Sequence, residues 1–100
     1  MKSFLFALVS ILVFASAPAL AGDAVAGKAK SALCASCHGP TGTSMSPLWP
    51  NLAGQKEQYL IKQITAFRDG TRQDPMMAPM VAALTDTDIE NLAAYFSSQK

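Results

Sequence analysis

Along the chain, polar and apolar positions alternate in three helical patterns separated by two irregular stretches, and a run with almost no polar residue precedes them. Over Lys56–Asp69, Leu60, Ile61, Ile64 and Phe67 recur at the spacing of one helix face, and Gly70 supplies a stop. A last helix is predicted from about Asp86, where Thr85-Asp86-Thr87-Asp88 offers a variant capping box. It continues through Ile89, Leu92, Ala93 and Phe96, with Tyr95 beside that stripe. A first helix is predicted over Ala24–Leu33 behind Asp23 as its cap. Gly27 falls inside it, and a helical glycine costs about 1 kcal/mol against alanine, so a close packing contact is expected there. Cys34–Gln55, with Gly39, Pro40, Gly42, Pro47, Pro50 and Gly54, reads as a long loop, and so does Thr71–Ala83, where Pro75 and Pro79 surround three methionines. No strand pattern competes. The fold class is all-α, three main helices with long loops.

The opening run changes the picture of the compartment. Met1-Lys2 is a short positive start, Phe4 to Phe14 is apolar apart from Ser10, and Ala19-Leu20-Ala21 places small residues at −3 and −1 before Gly22. Residues 1–21 therefore read as a signal peptide that is cleaved, leaving residues 22–100 as one domain. An uncleaved anchor is the alternative, since Phe4–Ala21 approaches the length needed to span a bilayer, but Pro18 and the small residues favour removal. The mature protein is expected to be periplasmic, with no membrane span after cleavage.

Composition then matters for what is left. The chain has 100 residues, 50% of them apolar; removing the 21 leader residues and their 16 apolar side chains leaves 34 of 79, an ordinary globular share. Without Lys2, seven basic residues face seven acidic ones, so the mature chain is formally neutral. It lacks the clustered basic surface that nucleic acid requires. Its five aromatics, Trp49, Tyr59, Phe67, Tyr95 and Phe96, make a thin core for such a length, and chains of this size usually need a staple. A large apolar cofactor held covalently would supply one.

Cys34-Ala35-Ser36-Cys37-His38 is C-x-x-C-H, the attachment signal for a c-type haem. Two thiols three positions apart can add to the two vinyl groups on one porphyrin edge, and the histidine that follows lies under the iron as an axial ligand. These are the chain's sole cysteines and its sole histidine. A redox-active disulfide is the default for a C-x-x-C pair in an oxidising compartment, but the strand and βαβ frame of thiol oxidoreductases are missing. A structural zinc ion would want a fourth ligand beyond Cys34, Cys37 and His38. The sixth iron position decides between an electron carrier and an open, ligand-binding site. Met45, Met76, Met77 and Met80 are available; Met45 is too close behind His38, and the cluster Asp74–Met80 sits where a loop can fold over the opposite face.

From Gly22 to Gln99 the chain resembles class I c-type cytochromes, closest to one half of the dihaem cytochromes c4 and to small c5/c553-like monohaem proteins. The stretches that carry the resemblance are Gly22-Asp23-Ala24 with Ala26-Gly27, Cys34–Gly39, Pro50–Gln55, Tyr59-Leu60 with Lys62-Gln63, and Leu92–Phe96. The resemblance implies a small cytochrome c fold wrapped around one covalent haem c. It implies Met77 as the axial methionine, counted back from Leu84 in Leu84-Thr85-Asp86-Thr87-Asp88-Ile89, with Met80 the runner-up and Met76 third. It further implies that the other ring nitrogen of His38 bonds a proline carbonyl, by offset Pro47, and that Gly27 lets the first and last helices cross against Tyr95. Trp49, Arg68 and Arg72 are candidates to bond the haem propionates, the arginines being read rather as solvated surface charges and Trp49 as packing on the haem. The implied function is single-electron transfer between protein redox partners by a soluble monomer that is not an enzyme. A haem c subunit of an exported oxidoreductase complex, with a dehydrogenase or oxidase as partner, is the alternative.

Overall fold

A computed structural model describes residues 3–12 and 22–100. The expected cleavage site, Ala19-Leu20-Ala21, lies outside the described residues, and residues 3–12 take no regular secondary structure. Five helices follow: α1 (Ala24–Lys30), α2 (Ala32–His38), α3 (Glu57–Asp69), α4 (Met77–Val81) and α5 (Asp86–Ser98), with no strand among the described residues. None of these helices is long and apolar enough to cross a membrane.

Two of the five were not expected. The residue pattern predicts a first helix to Leu33 and a loop over the C-x-x-C-H segment; instead α1 ends at Lys30 and a second helix carries the motif. Ser31 makes the junction. Its φ of −79° and ψ of −2° stay close to helical, its hydroxyl donates to the Lys28 carbonyl at 2.8 Å, and its own carbonyl accepts from Ala35 N–H at 2.9 Å. The breakers that suggested a loop act only from Gly39 onward. The short α4 was hidden by Pro79, which sits in its first turn, where a missing N–H leaves no bond unmade.

The remaining ends follow their capping chemistry. Asp23 accepts from Val25 and Ala26 N–H at 2.9 and 3.2 Å, and Lys28 and Lys30 complement the dipole at the other end of α1. Gly70 closes α3 in the left-handed conformation. Thr85 and Asp88 form a complete capping box on α5: Asp88 N–H donates to Thr85 Oγ1, and Thr85 N–H to Asp88 Oδ2, each at 3.1 Å.

The core is built on α5. Leu92, Ala93, Tyr95 and Phe96 cluster with Leu60 of α3, and Ala24, Cys34, Leu52, Ile61, Ile64 and Leu84 pack around them half-buried. Phe96, Ile89 and Leu92 are the largest fully buried side chains, each contributing about 1.5–3 kcal/mol of transfer free energy. The other aromatics add little to this centre, with Trp49 and Phe67 half-buried and Tyr59 50% exposed. Gly27 explains how α1 reaches α5. A Cβ there would run into the Asn91 backbone and come within 2.9 Å of Tyr95 Cβ, so the close approach exists only because the side chain is absent. Asn91 Oδ1 also accepts from Asp23 N–H at 2.8 Å, fixing the start of α1 along the same helix.

Candidate haem-binding site

Helical geometry settles how the three motif residues are presented. Positions i, i+3 and i+4 share one face of a helix, so α2 sets Cys34, Cys37 and His38 side by side. Both cysteines are half-buried free thiols. Burial pushes the Cys34 thiol above its ordinary value, with a backbone hydrogen bond acting the other way. A thiol kept neutral in this way is the opposite of the activated thiolate that disulfide exchange uses.

His38 is 7% exposed, and its ring is held from one side only: Nδ1 lies 2.8 Å from the Pro50 carbonyl. A carbonyl can only accept, so Nδ1 carries a proton and Nε2 is the ring nitrogen left for another partner. Among the described residues Nε2 has no protein partner, yet no unpartnered side-chain nitrogen is sealed in. An imidazole fixed through Nδ1 with Nε2 free is the arrangement that metal-binding histidines use. Two accessible thiols beside a pre-oriented imidazole therefore fit a covalent haem. Among the described residues no three His, Cys, Asp or Glu side chains converge as a cage for a bare metal ion.

The proline partner is Pro50, not the expected Pro47. The reason lies in how the loop is anchored. Gly42 turns the chain at a φ of +86°, and its carbonyl accepts from both Leu52 and Ala53 N–H at 2.6 and 3.0 Å. Ser44 N–H donates to Asn51 Oδ1 at 2.7 Å. These bonds hold Asn51–Ala53 against the turn and deliver the preceding carbonyl, that of Pro50, to the imidazole. Ser46 and Ser44 meanwhile fold the intervening segment back on itself, and Pro47 is carried outward to the surface. An offset from a family pattern cannot see that detour, whereas Asn51, the residue that pins it, stands inside the Pro50–Gln55 stretch singled out in the sequence.

On the methionine side, the four candidates differ in exposure. Met45 is 99% exposed, Met76 57% and Met80 45%, while Met77 is half-buried. Met77 opens α4, and Asp74 shapes the approach to it. One carboxylate oxygen, Oδ1, accepts from Met76 N–H at 2.8 Å and Met77 N–H at 3.0 Å, and the Asp74 carbonyl accepts from Ala78 N–H at 3.0 Å. These bonds, that from Met77 first, hold the Asp74 carboxyl below the usual carboxylate range. Sequence reasoning assigned Asp74 no role. Its signal is an acid two and three positions ahead of otherwise unpaired helix N–H groups.

The propionate candidates are engaged elsewhere or half-buried. Arg68 is not a solvated charge, as expected, but a shielded one: Nε bonds Asp69 Oδ1 at 2.9 Å, and Nη1 reaches the Leu84 carbonyl at 3.2 Å and Asp86 Oδ1 at 2.8 Å. The bonds to Asp69 and then Asp86 raise its already high pKa further. Arg72 is exposed, donates to Gln63 Oε1 at 2.8 Å and lies 4.4 Å above the Phe67 ring. Trp49 is half-buried in the loop after His38.

Comparison with known proteins converges with this geometry. The family model described as cytochrome c matches residues 21–100. Cytochrome c4 of Pseudomonas aeruginosa is 44% identical over 100 residues, an alignment covering 100% of this chain and 50% of that protein. Cytochrome c-554(548) of Halomonas halodenitrificans is 47% identical over 83 residues, covering 80% of this chain and 100% of its own. Among solved structures, reduced recombinant cytochrome c4 from Pseudomonas stutzeri superposes with a TM-score of 0.77 at 46% identity, over 80% of this chain and 47% of that one. The chain thus spans about half the length of its cytochrome c4 relatives.

Proposed function

The chain belongs to the cytochrome c family, and on that basis we propose that it carries single electrons between protein redox partners in the periplasm, as an exported monomer with one haem c and no catalytic reaction of its own. One observation supports this reading above the others: His38 has its Nδ1 proton fixed on Pro50 and its Nε2 free, on the same helix face as two unpaired thiols.

Each residue has a role that follows from its chemistry. When bound, the haem supplies a one-electron iron couple. Cys34 and Cys37 would hold it through thioether links, each thiol S–H adding across a vinyl group with no external oxidant or reductant. His38 would hold the iron through Nε2, and the Pro50 carbonyl on Nδ1 keeps the ring from turning and increases its donor strength. Met77 would hold the iron through its thioether, its backbone being held by Asp74. A thioether donates weakly, favouring the reduced ion relative to a second histidine. Held by both His38 and Met77, the iron would serve electron transfer rather than the binding of small ligands. The formally neutral mature chain makes long-range steering of partners modest, and encounters short-lived.

The test is the visible spectrum of the oxidised and reduced protein, matured where c-type haem is attached. A low-spin, six-coordinate spectrum with a methionine–iron charge-transfer band is expected. A high-spin, five-coordinate iron would replace the carrier reading with a ligand-binding one.

A further inference from the structure

Arg68 stands in the last turn of α3, and its guanidinium holds acceptors on both sides of a gap. Asp69 belongs to the end of α3; Leu84 and Asp86 flank Thr85, the cap of α5. Everything between, residues 70–83, forms one segment that contains α4 and Met77. The near end of that segment is tied to α3 by Arg72 N–H and the Thr71 hydroxyl on the Ala66 carbonyl, at 3.1 and 3.4 Å, and by Arg72 on Gln63. Among the described residues, the side-chain hydrogen bonds that return the far end to α3 come from Arg68.

We infer that Arg68 is a positioning residue for Met77, clamping the far end of the methionine-bearing segment to α3 and so setting how often the thioether leaves the iron. The inference rests on Met77 being the axial ligand. An iron–thioether bond is weak, so its opening is governed by the freedom of the backbone that carries it. Val81 and Leu84 already seat the far end in the core, so the guanidinium acts on the freedom of the main chain that this apolar packing leaves, and each further tie narrows the arrangements the segment samples.

An ordinary surface ion pair would not do this. Asp86 is 82% exposed, and its attraction alone is screened. The arginine side chain, however, is only 19% exposed, and its bond to Leu84 is part-buried and reaches main chain. The planar fork also fixes the angles between acceptors, which a lysine ammonium cannot. The guanidinium therefore holds a backbone position rather than merely a charge.

The experiment compares the holoproteins Arg68→Met, Arg68→Lys and Met77→Ala with the wild type. Three readouts are taken: the methionine–iron charge-transfer band of the oxidised form, the rate of carbon monoxide binding to the reduced form, and the global melt by far-ultraviolet circular dichroism. Met77→Ala should abolish the band. Arg68→Met should speed carbon monoxide binding by about tenfold, equivalent to about 1.4 kcal/mol, and weaken the band well below its melting temperature. Arg68→Lys should fall between Arg68→Met and wild type. If Met77→Ala loses the band while Arg68→Met keeps wild-type band and rate, or shifts only the melt, the clamp is overturned. A band that survives in Met77→Ala overturns the ligand assignment instead. Should Arg68→Met fail to retain haem, the Arg68→Lys rate decides, an increase supporting the clamp and a wild-type value overturning it.

Discussion

On the histidine side of the site, the structural contacts fall on the side chain that acts: Pro50 bonds the ring of His38 itself. On the methionine side they stop at the main chain. Asp74 holds the N–H of Met77, Arg68 holds the carbonyl of Leu84, and neither touches a thioether. The two sides also differ in what makes the contacts. Residues 31–55 contain no Asp, Glu, Lys or Arg, and their loop is fixed by carbonyls, an amide and a hydroxyl. The methionine segment is fixed by Asp74, Arg68, Asp86 and the Thr85–Asp88 box. A rigid, uncharged mount orients the imidazole of His38, and a set of ionic ties holds the main chain on either side of Met77.

The largest expected effect tests the rigid mount. Gly42→Ala would force a side chain onto a φ of +86° and within 2.7 Å of both Ala53 N and Phe96 Cδ1. Left-handed strain and overpacking together should cost about 2–4 kcal/mol, read as a lower melting temperature of the holoprotein with its Met–iron band retained up to that melt. Early loss of the band would mean that the two sides are not independent. A smaller effect is expected from Asp74→Ala, which releases two N–H groups and should cost about 0.5–2 kcal/mol. Here the band should fade on warming before the helices melt; simultaneous loss would show that the segment has no local freedom.

The smallest effect is the response to acid. Asp88 is held below the usual carboxylate range, first by the Thr85 N–H, with the Thr85 hydroxyl and Lys30 adding to it. A depressed folded-state value means that the box contributes fully above the unfolded value of about 3.9 and is lost as pH falls through the folded one. Below about pH 4 the methionine side should therefore loosen first, because its mount contains carboxylates and the histidine mount does not. Asp88→Asn should flatten the acid limb of a pH titration of the charge-transfer band; an unchanged limb would assign the loosening to another group.

This division was only partly legible in the sequence. The helix faces, the Asp23 cap and the Thr85–Asp88 box are local matters, and residue pattern suffices for them; the glycine at position 27 signals a close contact in the same way, but Tyr95 as its partner, 68 residues on, follows only from the family resemblance. The helical state of Cys34–His38 was missed because breakers a few residues downstream were allowed to speak for the whole stretch. Pro47 was named in place of Pro50 because the decisive bonds, from Ser44 to Asn51 and from Leu52 and Ala53 to Gly42, depend on a path in space that spacing does not encode. Arg68 was read as a free charge for the same reason, its acceptors at Leu84 and Asp86 lying beyond the reach of any local motif.

The concentration of the core in α5 carries a consequence for the order of events during synthesis. Of the clustered core residues, Leu92, Ala93, Tyr95 and Phe96 are made last, long after Cys34 and Cys37. Tyr95 also donates its hydroxyl to the Pro40 carbonyl at 2.6 Å, so the loop behind the motif acquires that tie only once α5 has been made. The two thiols are therefore synthesised well before the helix against which Cys34 packs, and that packing cannot precede α5.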